Sequence, residues 1–193
     1  MTPSTTAPSE PAGAHGSEAP SPWVQRWSHL VPAQGRVLDL ACGMGRHTRW
    51  FLARGQAVTA VDRSAPALAA VAALDSSGNH LEPLEADLEN TAWPLAGRTF
   101  DAVVVTNYLW RPLLGPITAS VAPGGVLIYE TFAAGNEAFG RPSRPDFLLQ
   151  PGELLTACAG LQIVAYEHGL LDGPKRVVQR IAAVRAPLHP CRL

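Results

Sequence analysis

Arg36-Val37-Leu38-Asp39-Leu40-Ala41-Cys42-Gly43-Met44-Gly45-Arg46-His47-Thr48 decides how the whole chain is read. Val37 to Leu40 is apolar on both faces apart from one acid, as a strand buried in a parallel sheet must be. Gly43 and Gly45 let the backbone turn sharply and let a ligand approach main-chain atoms, with Ala41 at the entry to the turn. A helix is expected from about Gly45 to Ala53, stopped by Gly55. Such a strand-turn-helix points backbone N–H groups into a crevice. Gln56 to Val61 then alternates like a second strand and ends in Asp62. That acid falls in the window, about 20 residues after the glycines, where a nucleotide site places its ribose-binding carboxylate. Asp62 also reads as a helix N-cap before Ser64-Ala65-Pro66, and the two roles are compatible.

The glycine pattern alone is weak. Thr48 stands where the dinucleotide fingerprint needs a third glycine. The acid at Asp39, four residues before Gly43, is more telling. As a whole, Val-Leu-Asp-Leu-Ala-Cys-Gly-Met-Gly-Arg followed by Asp62 resembles motif I and its downstream acid in class I S-adenosylmethionine-dependent methyltransferases. The resemblance implies that S-adenosyl-L-methionine lies with its amino-acid end over the Asp39, Ala41, Gly43 and Gly45 region and its ribose on Asp62.

The chain has 193 residues, 47% of them apolar and 16% charged, with a net charge of −1. This suits one domain with a substantial core. Nothing suggests a broad polyanion-binding surface, so a nucleic-acid partner is disfavoured. The three cysteines, Cys42, Cys158 and Cys191, lack metal-type spacing, and no metal is expected. No apolar run is long enough to span a membrane and no signal-peptide pattern is present, so a cytoplasmic location is expected by default.

Residues 1–20 are rich in Pro, Ser, Thr, Ala and Gly and are expected to be disordered. The domain is read as 21–185, with 186–193 a tail. Ser21-Pro22 can cap a short helix presenting Trp23, Trp27 and Leu30 to the sheet edge, or placed as a lid near the cleft. Ala65 to Leu74 reads as a helix and Leu81 to Glu85 as a third strand. Phe100 to Tyr108 is the clearest strand, β-branched and continuous, and therefore central. Ligands in open α/β sheets bind beyond the carboxyl ends of the strands. Asn107, Tyr108, Trp110 and Arg111 should therefore face the cleft, or in the case of the two aromatics pack under the next helix. A helix from Pro112 to Ser120, a turn at Ala122 to Gly125 and a strand from Val126 to Thr131 follow. Glu130, at the end of that strand, reads equally as a buried structural acid or a base.

The long segment from Phe132 to Pro151 is expected to fold over the site as a cap. Arg141 and Arg144, stiffened by Pro142 and Pro145, could bind an anionic substrate or pair with Glu137 and Asp146. Gly152 to Ala159 reads as a helix. Leu161 to His168 and Arg176 to Arg185 read as a closing hairpin around Leu171 to Pro174.

The resemblance implies a Rossmann-like, doubly wound α/β fold with a mostly parallel seven-stranded sheet and a C-terminal antiparallel hairpin. It further implies that Asp87 receives the adenine amino group and that the backbone of Leu88 contacts the ring; a turn-forming Asp is the plainer reading of Asp87. Within that family the chain looks most like the small tellurite-resistance type, through Asp39 to Arg46 and a Phe-Leu-Leu-x-Pro-Gly-Glu-Leu stretch at Phe147 to Leu154.

The implied activity is that of a methyltransferase enzyme acting on a small-molecule acceptor, a chalcogen oxyanion, thiol or small acid. Asn107, Tyr108 and Glu130 are the catalytic candidates around the transferred methyl, Asn107 being also a candidate cofactor contact, and Trp110, Arg111, Arg141 and Arg144 are the candidates for substrate contact. An oxygen or nitrogen nucleophile would need a base, for which His47 or Glu130 is available; otherwise His47 is a solvent-facing or capping residue. The other readings are a non-catalytic S-adenosylmethionine-binding module, a methyltransferase acting on RNA or protein, and an NAD-type oxidoreductase, which would need a glycine at Thr48.

Overall fold

The computed structural model describes residues 19–75 and 80–187. Most of the segment expected to be disordered, and the tail after residue 187, lie outside the described residues. Among the described residues the elements run α1 (Pro22–Trp27), β1 (Arg36–Leu40), α2 (Arg46–Leu52), β2 (Ala57–Asp62), α3 (Ala65–Ala72), β3 (Leu81–Glu85), β4 (Phe100–Thr106), α4 (Leu114–Ala119), β5 (Val121–Phe132), α5 (Glu153–Ala157), β6 (Gln162–Asp172) and β7 (Lys175–Val184).

The strands form one seven-stranded sheet in the order β3-β2-β1-β4-β5-β7-β6. Pairings from β3 through β5 are parallel, and β7 is antiparallel to both its neighbours. The expected α/β architecture and closing hairpin are therefore observed. Because successive side chains point to opposite faces, the central strands feed two cores. Leu38, Leu40, Val103, Val105, Leu127, Tyr129 and Ile181 fill one, with Leu149 and Leu154 packed on them. Val37, Val58, Ala102, Val104, Val126 and Ile128 fill the other, covered by Trp23, Trp27 and Phe51. Burial on both faces is why β4 reads as an unbroken apolar run.

Several boundaries differ from the sequence reading, each for a local reason. The helix expected over Pro112 to Ser120 is a 3-10 turn at Arg111–Leu113 followed by a short α4. Pro116 has no N–H to give to Pro112, so an α-helix cannot run through both. The turn expected at Ala122 to Gly125 is part of β5. Val121 already pairs with Phe100, a bulge follows, and at the end of β7 Gly124 N–H donates to Arg185 O while Gly125 O accepts the Arg185 N–H. β4 stops at Thr106 because Asn107 turns left-handed, with φ 55°. β6 continues past His168 to Asp172, leaving only Gly173-Pro174 in the hairpin turn. Helices α2, α3 and α5 are each a little shorter than expected.

α1 packs on the face of β5 and β7, not at the sheet edge. Trp23 and Trp27 meet edge-on at 5.6 Å, and Trp23 Nε1 donates to the Ile181 carbonyl. Ser21 caps the helix by accepting the Trp23 N–H.

The segment 132–151 packs down on the sheet end and α5. Leu149 N–H donates to Phe132 O, Ala133 N–H to Val177 O, and Gln179 Nε2 to Gln150 O. Among the described residues, no helix is long and apolar enough to cross a membrane.

Candidate functional site

The carboxyl ends of β1 to β4 open onto a crevice of about 210 Å³. Ala41, following β1, forms part of its wall. Asp62 ends β2 and is joined there by Arg63; Ala86 to Glu89 follow β3, and Tyr108 follows β4. The crevice thus lies where strand order reverses around β1, the position at which open α/β sheets bind ligands.

The glycine turn is held in place by its own main chain and by one carboxylate. Ala41, Gly43 and Gly45 all have positive φ, at 53°, 54° and 76°. Cys42 N–H donates to Val61 O, and Gly43 N–H donates to Asp62 Oδ2 at 2.8 Å. The two glycines are needed for different reasons. A Cβ on Gly45 would lie 2.8 Å from Val71 Cγ2, so this glycine lets α2 approach α3. A Cβ on Gly43 would meet no heavy atom within 4 Å, so this one leaves space open beside the crevice.

Asp39 lies beneath the turn and is 1% exposed. Thr48 Oγ1 donates to Asp39 Oδ2 at 2.7 Å. Burial raises the Asp39 carboxyl to about 6, against the pull of the Thr48 hydrogen bonds. The residue that breaks the dinucleotide fingerprint is therefore the partner of the motif's acid. Asp39 braces the loop from below and does not line the crevice.

Asp62 Oδ1 accepts the Ser64 N–H at 2.9 Å while Oδ2 holds Gly43. The N-cap of α3 is Ser64, which accepts the Ala67 N–H. Each Asp62 oxygen still has a lone pair for a hydroxyl in the crevice. Asp87 folds the β3 exit into a turn, accepting from the Glu89 and Asn90 N–H groups and from Asn90 Nδ2. The Asn90 side-chain hydrogen bond and these backbone donors hold its carboxyl below the usual aspartate value. Leu88 beside it is buried. The Tyr108 hydroxyl is enclosed with no hydrogen-bond partner, and burial, with the charges of Glu89 and Asp87, pushes it up to about 12. Its surroundings are thus the Asp87 end of the crevice. Asn107 is exposed, and its N–H donates to the Glu130 carbonyl.

A polar ladder crosses the sheet beside this crevice. Thr106 pairs with Glu130, Glu130 with Arg180, and Arg180 with Glu167, each directly opposite the next. Glu130 is 1% exposed and accepts from Ser21 Oγ, Arg176 Nη2 and Arg180 Nη1. Arg180 also lies 4.8 Å over the Trp23 ring. His47 is neither solvent-facing nor capping: it is buried, Nε2 accepts the Ser21 N–H at 3.1 Å, and Nδ1 faces Thr106 Oγ1 at 3.4 Å. That backbone donor fixes the proton on Nδ1. Burial, then the nearby Arg46 charge, lowers the imidazole to about 3.

The remaining expected substrate residues are engaged elsewhere. Trp110 packs partly buried against the core. Arg111 binds both Glu153 oxygens and the carbonyls of Asp146 and Leu148, clamping the 145–149 turn to α5. Arg144 pairs with Asp146 at 2.7 Å and stacks on Phe147; Glu137 instead accepts the Gly135 N–H. Arg141 is exposed, and no residue of 132–151 lines the crevice. Sequence reasoning did not single out Arg63, Ala86 or Glu89. Arg63 and Ala86 were legible in principle, as the residues that directly follow the ends of β2 and β3.

Comparison with known proteins bears on the family. Residues 37–125 match the family described as "Methyltransferase domain". Over 120 residues the chain is 35% identical to the malonyl-[acyl-carrier protein] O-methyltransferase of Pectobacterium atrosepticum, a match covering 58% of this chain and 45% of that protein. The chain thus spans less than half the length of the curated relatives it matches. In structure it is similar to TehB from Haemophilus influenzae, with TM-score 0.68 and 19% identity over 84% of this chain and 61% of that one. It is also similar to an S-adenosylmethionine-dependent methyltransferase from Mesorhizobium loti, with TM-score 0.65 and 19% identity over 83% of this chain and 96% of that one. Residues 37–125 match a methyltransferase domain, and the fold is shared with solved S-adenosylmethionine-dependent methyltransferases.

Proposed function

We propose that this methyltransferase takes its methyl group from S-adenosylmethionine and transfers it to a small acidic acceptor. The observation that carries the reading is the crevice itself: an open Gly43 edge, a carboxylate with spare lone pairs at Asp62, and the Ala86 to Glu89 turn beyond it. These residues fit the donor. Asp62 suits the ribose hydroxyls, and Asp87 with Leu88 and Tyr108 suits the adenine end. The Gly43 edge suits the amino-acid end, braced from below by Asp39.

The sulfonium supplies an activated methyl and leaves as a neutral thioether, so no protein acid has to expel it. What the chain contributes is alignment and exclusion of water. A carboxylate, thiolate or chalcogen oxyanion acceptor is already nucleophilic and needs no base. His47, locked between Ser21 and Thr106, and Glu130, held by two arginines, are therefore read as positioning groups. The acidic acceptor is supported by the relatives named for O-methylation of a malonyl group. A cytoplasmic location and the absence of a nucleic-acid partner go with this reading.

A labelled-methyl transfer screen over small carboxylic acids, thiols and chalcogen oxyanions, with bulk RNA and protein as further arms, tests it. Label in a small acid supports the proposal. Label only in RNA or in protein side chains, or in none of the arms, overturns it, whereas label on a carrier-linked malonyl group supports it.

A further inference from the structure

Arg176 stands at the start of β7, which runs antiparallel to β5, so it overhangs the ligand side of the sheet. The last residue of β5, Phe132, pairs with Val178, and Arg176 lies two positions further out. It shares a sheet face with Arg180 and reaches the same buried carboxylate, Glu130.

That carboxylate is a poor partner for it. The Arg176 Nη2 to Glu130 Oε1 distance is 3.5 Å, while Glu130 already accepts from Ser21 Oγ at 3.1 Å and Arg180 Nη1 at 3.3 Å. Arg176 Nε is buried with no hydrogen-bond partner. Around it, three cations (Arg26, Arg176 and Arg180) share two carboxylates (Glu130 and Glu167), a net charge of +1. Arg111 and Arg144 are committed to Glu153 and Asp146. Arg176 keeps donors to spare and remains 20% exposed.

We propose that Arg176 binds an oxyanion carried by the methyl acceptor, whose negative charge completes the cluster. A guanidinium fork fits a carboxylate or a phosphate through two parallel hydrogen bonds. The inference rests on the methyltransferase reading and names the acceptor's charge.

The test is calorimetric titration of the full chain with malonate and, separately, with inorganic phosphate, each with and without saturating S-adenosylhomocysteine. The wild-type protein is expected to bind at least one anion. Arg176→Gln should weaken that binding by about tenfold or more, and Arg176→Lys, which keeps the charge and loses the fork, by about threefold or more. Arg54→Gln, just past the carboxyl-terminal end of α2, should leave it unchanged. Preference for malonate identifies a carboxylate acceptor, and preference for phosphate a phosphorylated one. Wild-type binding of neither anion, or unchanged affinity in a folded Arg176→Gln, overturns the inference. If that variant fails to fold, unchanged affinity in Arg176→Lys overturns it instead. Failure of S-adenosylhomocysteine to bind would remove the methyltransferase reading, while the anion titrations of the free protein would still decide the role of Arg176.

Discussion

Glu130 and Arg180 face each other across β5 and β7, Oε2 to Nη1 at 3.3 Å, with the carboxylate almost wholly buried. Removing one partner of a buried pair leaves the other charge uncompensated, which costs more than the pair contributes. Here Arg180 and, at the longer distance of 3.5 Å, Arg176 both face Glu130, and Glu167, which Arg180 shares with Arg26, does not reach Arg176. Glu130→Gln is therefore expected to destabilise the fold by about 3 kcal/mol in chemical denaturation. A loss below about 0.5 kcal/mol, the usual range for surface substitutions, would contradict the structural role.

Asp39 makes a prediction about pH. Its carboxyl titrates at about 6 in the folded protein, above its ordinary value of 3.8. Between those values the folded state holds a proton that the unfolded state has released. Stability from this group is therefore fully present below about pH 4, falls as pH rises towards 6, and is flat above. The slope reaches at most about 1.4 kcal/mol per pH unit. Asp39→Asn should remove that part of the slope between pH 4 and 6. Identical pH profiles for the two proteins would show that Asp39 is not perturbed.

The two loop glycines should separate fold from binding. Gly45→Ala places a Cβ against Val71 Cγ2 and strains a left-handed residue, so a loss of about 2–4 kcal/mol in stability is expected. Gly43→Ala carries only the left-handed penalty, about 1–2 kcal/mol, because its Cβ has free space. That Cβ occupies the cofactor edge, so binding of S-adenosylmethionine should weaken in a protein that still folds. Thermal melts with parallel titrations check both, and equal effects of the two substitutions would contradict the distinction.

Arg111 closes the 145–149 turn onto α5. Arg111→Ala should cost about 2 kcal/mol, since it removes charge-assisted hydrogen bonds to Glu153 and two carbonyls. Proteolysis should then begin within 145–149. An unchanged cleavage pattern would show that the segment is held by its apolar contacts.

What could be read from sequence was what is local or periodic. Val37 to Leu40 and Phe100 to Thr106 are apolar on both faces, and that alone makes them central parallel strands. Asp62 was legible because it sits 19 residues beyond Gly43, to which it hydrogen-bonds. Thr48 was legible only as a missing glycine, because its bond to Asp39 spans a turn that sequence does not draw. The Glu130 cluster could not be read. Its members Ser21, Arg176 and Arg180 are 109, 46 and 50 residues away in the chain and meet only once α1 and β7 have docked. Arg141 and Arg144 were expected at the substrate because arginine beside proline in a long segment suggests a binding loop, and Arg111 because it follows the carboxyl end of a central strand. Arg111 and Arg144 are instead spent within or beside the segment, while Arg141 is exposed on it.

The crevice at Gly43 and Asp62 is proposed as the site for S-adenosylmethionine. Calorimetric titration of the full chain with S-adenosylmethionine, with NAD as control and with Asp62→Ala in parallel, tests it most directly. The expected result is one site per chain for S-adenosylmethionine, no heat with NAD, and affinity about 100-fold or more weaker in Asp62→Ala, from the loss of two charge-assisted hydrogen bonds of about 1.5–3 kcal/mol each. Absence of binding by the wild-type chain, or unchanged affinity in Asp62→Ala, would contradict it.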